Sequence, residues 1–371
     1  MTKKATPASL GYRMPAEWEP HSATWLTWPH DGAHWPEIFD RIPPIWARIV
    51  KELIVGEDVH IAIHDETTDA VARRVLNEVG IVIDDTGRGT MHCAPTRSED
   101  THCVNLHRIP NNFPWMRDHG PIFLKNKEVG AYGHTPLLMT HWIYNAWGDQ
   151  WAHDLDEKIP EALEKMTGIE RVAVPMVLEG GSIDVNGCGT LLTTEHCLLN
   201  PNRNPGLTKA QIEEFLKQYL GISLILWLGE GIQGDDTSGH VDDLARFVGP
   251  HSVVTIVNDD PSDPDHAPLA ENFRRLQSMK DQDGNPLEII TIHQPKPVMV
   301  GGKRIPASYA NFYIGNECVL VPVWNDPSDD AAIGVLQKCF PTRRIVPIDS
   351  RDLTWGFGSF HCVTQQQPLY L

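Results

Sequence analysis

Residues 206–228 read GLTKAQIEEFLKQYLGISLILWL. Thr208 is placed as a helix N-cap, with Gln211 three residues on in the capping-box pattern. Ile212, Phe215, Leu216 and Leu220 then share one helical face, and Gly221 stands where such a helix stops. SLILWL follows at once, an apolar run of strand length. The same order of helix then strand recurs at three other places. Residues 66–80 (ETTDAVARRVLNEVG) lead into IVID, and residues 269–279 (LAENFRRLQSM) lead through DQDGNP into LEIITI. Residues 328–340 (SDDAAIGVLQKCF) lead into RRIVPI. This repetition predicts an α/β fold built from similar ββαβ-type units. No stretch is linker-like or of low complexity, so the expectation is one domain over residues 1–371.

The bulk properties narrow the function. The chain carries 31 basic against 49 acidic residues, a formal charge of −18. That field disfavours nucleic acid and anionic membrane surfaces and suits a small cation. No apolar run is long enough to span a membrane. The basic start MTKKATPASLGYRMP has no apolar core behind it, so no secretory signal is read and a soluble, cytoplasmic protein is expected. The seven cysteines are odd in number and show no CxxC spacing, which fits free thiols in a reducing compartment. Four of them follow a histidine: His92-Cys93, His102-Cys103, His196-Cys197 and His361-Cys362. Neighbours on a strand point to opposite faces, and zinc prefers wider ligand spacings, so no metal site is expected from these dipeptides.

The candidate chemistry lies in polar, Gly-rich loops beside strand-like runs, where reactive groups usually sit. NNFPWMRDHGPI (111–122) precedes IFL and offers Asp118; LEGGSIDVNGCG (178–189) precedes GTLLTT and offers Glu179. GDDTSGHVDD (234–243) precedes LARFVG and offers His240, Asp242 and Asp243. TWGFGSFHCVTQQQP (354–368) contains Cys362, with FHCVT read as strand. Singly, each has an ordinary reading as a surface pair, a turn residue or a structural histidine. Together they combine a thiol, a proton carrier and several carboxylates. On an extended strand, His240 and Asp242 share a face. Gly180, Gly181 and Gly239 leave room for a close approach.

A thiol protease has no use for the extra carboxylates; a guanidinium substrate does. It is a planar cation with five N–H donors. Carboxylates on its edges accept paired, charge-assisted bonds and leave the central carbon open to attack from above the plane. A neighbouring cation also favours the thiolate that attacks.

Long stretches of the chain resemble the agmatine deiminase and Porphyromonas-type peptidylarginine deiminase family of the guanidino-group-modifying superfamily. They are MPAEWEPHSATWLTWP (14–29), WMRDHGP (115–121), LEGGSIDVNGCGTLLTTEHCLLNPNRNP (178–205), DDTSGHVDDLARF (235–247), PASYANFYIGN (306–316) and HCVTQQQP (361–368). The resemblance implies a five-bladed, pseudo-symmetric α/β propeller with a central active site. It implies Cys362 as nucleophile, His240 as general acid and base, Asp118 and Asp242 as the grip on the guanidinium, and Glu179 as support for the histidine. It implies no metal and no organic cofactor.

Two segments depart from the family pattern. HDGAHWPE (30–37) stands where RxDNWR is usual, and GFGSFHC (356–362) stands where GGGNIHC is usual. Both bear on the substrate's tail. The expected reaction is hydrolysis of a guanidinium to a ureido group and ammonia, best agmatine to N-carbamoylputrescine. Arginine or peptidyl arginine is the alternative substrate, and a guanidine-binding protein without catalysis is the non-enzyme alternative. Trp28, Asp31 and Trp35 are candidates for the tail pocket; the other reading makes Asp31 an exposed turn residue and the tryptophans core. A homo-oligomer is left open.

Overall fold

The computed structural model describes residues 5–84, 86–91, 102–126 and 136–370. The helix read from residues 206–228 forms as Lys209–Leu220. Thr208 closes the capping box with Gln211, Gly221 ends the helix at φ 68°, and Ile212, Leu216 and Leu220 are buried. The strand Leu224–Leu228 follows and lies parallel to Thr190–Thr194, which is antiparallel to Ile183–Val185. This module of an antiparallel pair, a helix and a parallel third strand is the repeating unit.

It recurs around Ala245–Phe247, Ser252–Val257 and Glu288–His293, with helix His266–Ser278. It recurs again around Tyr313–Ile314, Cys318–Val323 and Arg344–Asp349, with helix Asp329–Cys339. A further copy joins Ile122–Asn126, Leu137–Ile143 and Arg171–Val177 through helix Ile159–Thr167. The last takes its strands from both ends of the chain: Thr364–Pro368 pairs antiparallel with His21–Thr27, which runs parallel to Asp58–Ile63 after helix Ile42–Leu53.

Two of these helices are absent from the sequence reading above. Both open on proline, IPPIWARIVKEL and IPEALEKMT. Proline reads as a breaker but is tolerated in the first turn, where the missing N–H has no intrahelical partner to lose. Conversely, helix Glu66–Glu78 and the strand Ile81–Ile83 do not belong to a module. That strand pairs antiparallel with Arg88–Met91 at the edge of a six-stranded sheet. FHCVT is not all strand either: Phe360–Val363 is a helical turn and the strand begins at Thr364.

The α/β class holds, but the five-bladed propeller does not. Among the described residues, strand pairing gives six separate sheets of four, three, three, two, three and six strands, none closed into a barrel or propeller. Each hydrogen-bond ladder ends at an edge strand, and one sheet meets the next through side chains and loops. No helix among the described residues is long and apolar enough to cross a membrane.

The modules place the polar loops. In every copy, a short turn immediately precedes the first strand. These turns are Met116–His119, Gly180–Ser182, Val241–Asp243, the 308–311 turn and Phe360–Val363.

Candidate active site

Four of the turns bring Asp118, Glu179, His240, Asp242 and Cys362 together, and the 308–311 turn adds Asn311. All are buried: Cys362 is 5 % exposed, His240 1 % and Asp242 0 %. His240 and Asp242 do not lie on a strand; a 3₁₀ turn, Val241–Asp243, carries Asp242 with His240 as its N-cap. The outcome expected of an extended pair survives by a different route, since His240 Nδ1 lies 4.0 Å from Asp242 Oδ1.

His240 stands among carboxylates. Nδ1 is 3.9 Å from Asp118 Oδ1, and Nε2 is 3.9 Å from Glu179 Oε2. Neither ring nitrogen has a hydrogen-bond partner, nor do Glu179 Oε2 and Asp242 Oδ1. Burial alone would lower the imidazole pKa, but Asp118, the Cys197 thiol and Asp242 hold it well above the usual range. The surrounding acids therefore favour the imidazolium over the neutral ring. Gly181 makes this packing possible: a Cβ there would lie 2.6 Å from His240 Nδ1, 2.9 Å from Asp118 Oδ1 and 3.0 Å from Asp242 Oδ2.

The carboxylates have different supports. Asp118 accepts from the Gly181 N–H at 2.9 Å and from Trp147 Nε1 at 3.1 Å. Burial, with Asp242 and Glu179 nearby, still pushes it up to about 6 against the pull of His240. Glu179 accepts from Arg203 Nε at 2.6 Å. Asp242 accepts from His361 Nδ1 at 2.7 Å; burial would raise its pKa, but that bond and the charge of His361 hold it below the usual range. Burial and the adjacent Asp242 drive Asp243 well up.

Cys362 is held from several sides. Asn311 Nδ2 donates to its sulfur at 3.1 Å and to Asp243 Oδ1 at 3.0 Å, while Asn311 Oδ1 accepts from the His361 N–H at 3.1 Å. Behind it, His361 Nε2 meets Glu17 at 3.0 Å, and Glu17 also pairs with Arg117 and Arg246. Burial, then Asp242, Asp243 and Asp118, push the thiol well above its ordinary pKa. Burial and these three acids together favour the neutral thiol.

The N-terminal candidates divide. Asp31 lies on an exposed turn with its carboxylate accepting from the Ala33 N–H at 2.9 Å. Trp28 and Trp35 are wholly buried in the apolar core, Trp35 behind Gly356. None of these three lines the cavity at Cys362; His34 from the same stretch does, with Trp115, Trp147, Asp236 and Phe357. Arg117 and Arg203 are both committed to buried acids.

Two of the His-Cys dipeptides separate their side chains. His361 turns to Asp242 and Glu17, and His196 Nδ1 accepts from the Gly231 N–H at 3.3 Å. His92-Cys93 lies outside the described residues. Cys197 instead lies beside His240 and Glu179, three donors within 4.8 Å of one another. The Arg203 cation on Glu179 already supplies positive charge there.

Asn311, His361, Trp147 and Asp236 are the residues the sequence reading does not select. Asn311 sits inside PASYANFYIGN, and the position it takes, in the turn before a module's first strand, is the signal that would have found it.

The sequence pattern of the Porphyromonas-type peptidyl-arginine deiminase family matches residues 13–368. The chain is 34 % identical to an agmatine deiminase of Medicago truncatula over 393 residues, covering 98 % of each. It superimposes on the agmatine deiminase of Enterococcus faecalis with a TM-score of 0.86 and 29 % identity, over 99 % of this chain and 98 % of that one. A substrate-bound C. jejuni agmatine deiminase variant gives 0.82 and 28 %, over 96 % of each.

Proposed function

This chain belongs to the Porphyromonas-type peptidyl-arginine deiminase family and is a hydrolase acting on a guanidinium group, and from that premise we propose that it converts agmatine to N-carbamoylputrescine and ammonia with Cys362 as nucleophile. The observation that carries the reading is the cluster of buried carboxylates around the thiol. Asp118 lines the cavity at Cys362, and Asp242 Oδ2 lies 3.6 Å from the Cys362 sulfur, its Oδ1 without a hydrogen-bond partner. A guanidinium between them supplies donors to both carboxylates and the positive charge that lowers the pKa of the thiol.

In this mechanism, the bound guanidinium lets the Cys362 thiol lose its proton to solvent, and the thiolate attacks the amidino carbon and forms a C–S bond. His240, held protonated by the surrounding acids, gives its proton to the departing nitrogen; the C–N bond breaks and ammonia leaves a thiouronium. Neutral His240 then takes a proton from water as its oxygen bonds to the same carbon. The C–S bond breaks and restores the thiolate, the remaining hydroxyl proton passes through solvent to the released ammonia, and the neutral ureido product leaves. Glu179 faces His240 Nε2 and supports the imidazolium, while Arg203 fixes the other oxygen of Glu179.

The choice of agmatine rests on Asp236. It lines the cavity at Cys362 and also the wider basin outside, where a tail would lie. Burial, with Asp235 adjacent, pushes it up to about 7, so a cation beside it is favoured. A second reading, arginine or peptidyl arginine, is favoured by Lys303 at the rim of the same basin. Ammonia release from agmatine, arginine and a peptide ending in arginine, with no amine acceptor present, decides. Release from agmatine fastest is expected; release only with an acceptor would mark an amidinotransferase, and preference for arginine would select the second reading.

A further inference from the structure

The cavity at Cys362 is the narrow end of a longer opening. Its volume is about 10 Å³, against about 610 Å³ for the basin outside. About one water fits in the inner space, so a guanidinium must widen it on entry. Two residues line both spaces, Asp236 and Phe357, and they form the throat between them.

Phe357 lies in the loop between the helical turns Arg351–Thr354 and Phe360–Val363. Gly356 and Gly358 on either side have no room for a side chain. A Cβ on Gly356 would come 2.6 Å from the Trp35 ring, and one on Gly358 2.5 Å from the Trp115 ring. The loop is therefore threaded past two buried indoles, and of the three residues only Phe357 presents a side chain to the opening. It does so at φ 72°, a conformation that glycine adopts freely and a bulky residue does not. The tryptophan walls of the inner cavity are buried and tied: Trp115 Nε1 donates to His34 and Trp147 Nε1 to Asp118. Phe357 is half-buried. It is also where the chain departs from the family's GGGNIHC pattern.

We propose that Phe357 sets the width of the guanidines this enzyme accepts. The inference rests on the guanidinium reading of the Cys362 pocket. A straight alkyl tail passes between the ring and the Asp236 carboxylate. A branched carbon bearing an amide, as in peptidyl arginine, meets the ring. Phe357 is a specificity determinant and takes no part in bond making.

The test compares agmatine with Nα-acetylarginine amide for the unaltered protein, Phe357→Gly and Phe357→Leu. Glycine removes the wall and suits the positive φ, so the variant folds; Phe357→Ala carries the same expectation if it does not. Phe357→Gly is expected to shift the ratio of kcat/KM values towards the bulky substrate by about tenfold or more, the scale of steric discrimination in a pocket. Phe357→Leu, which keeps most of the bulk, is expected to leave the ratio near that of the parent. Alkylation of Cys362 by a small and by an N-aryl haloacetamidine gives the same comparison without turnover, so it still decides if agmatine is not the substrate. Selective acceleration of the bulky reagent in Phe357→Gly supports the proposal. Unchanged ratios in a folded Phe357→Gly protein, by either measurement, overturn it.

Discussion

Asn311 donates its side-chain N–H to the sulfur of Cys362 across 3.1 Å, and the same amide oxygen receives the N–H of His361. The second bond orients the amide so that its nitrogen lies nearer the sulfur, at 3.1 Å, than its oxygen, at 3.5 Å. As sulfur becomes anionic the donor strengthens, in a pocket where Asp242, Asp243 and Asp118 all oppose the thiolate. Replacing it by Asn311→Asp removes the donor and adds an acid. A loss of about 10²–10³ in kcat is expected, the usual cost of one donor at a developing anion. The pH at which iodoacetamide alkylates Cys362 should rise at the same time. Unaltered alkylation would reduce Asn311 to a packing residue.

Cys362→Ala should abolish turnover and keep the carboxylates proposed to hold the substrate. Agmatine at 100 times its dissociation constant should then stabilise the variant by about 2.7 kcal/mol in thermal unfolding. Arginine at equal concentration should give a smaller shift. Residual deiminase activity in this variant removes Cys362 from the mechanism.

Asp118→Asn and Asp242→Asn should each lower kcat/KM by roughly 30- to 4,000-fold, equivalent to about 2–5 kcal/mol for truncating one partner of a buried charge pair. Their effects on folding should differ. Asp118 is pushed up to about 6, so at pH 7 its charge opposes folding, and losing that charge offsets the lost acceptor. Asp242 is held low by His361, so its charge contributes stability above its unfolded pKa, and that contribution is lost as pH falls through its folded value. Asp242→Asn should therefore show the larger fall in Tm, and equal Tm values would contradict this division.

The pH profiles should separate by ligand state. Protonating Asp118 removes a negative charge facing the substrate, so kcat/KM should fall as pH drops through about 6. The thiol of the free enzyme lies well above its ordinary pKa, so kcat/KM should rise into the alkaline range. A bound guanidinium lowers the thiol pKa, so the corresponding rise in kcat should come at lower pH. Coincident profiles for kcat and kcat/KM would mean that the substrate does not activate its nucleophile.

Asp236→Asn should raise KM for agmatine more than it lowers kcat, because a tail contact is made alike in ground and transition states. Asp31→Asn should leave both constants near their starting values, since the Asp31 side chain caps the turn at Ala33 away from the cavity. The reverse result, with Asp31 controlling KM, would return the tail pocket to the N-terminal stretch.

The sequence by itself determined what depends on nearby residues. Thr208, Gln211 and Gly221 define one helix because capping and helix arrest act within four residues of the chain. The polar loops carrying Asp118, Glu179, His240, Asp242 and Cys362 were legible for the same reason, as breaks between apolar runs, and the quoted motifs assigned them a chemistry. Local reading failed where one residue type has two uses: the prolines that open Ile42–Leu53 and Ile159–Thr167 look like breaks. Only the tertiary structure decided which strands pair, and it gave separate sheets in place of a closed propeller, since ladder closure depends on partners far apart in the chain. It alone joined Asn311 to Cys362, took Asp31 away from the cavity and set Asp236 and Phe357 across its throat. Those relations arise from side chains meeting at the ends of different modules, and sequence spacing carries no record of distance between modules.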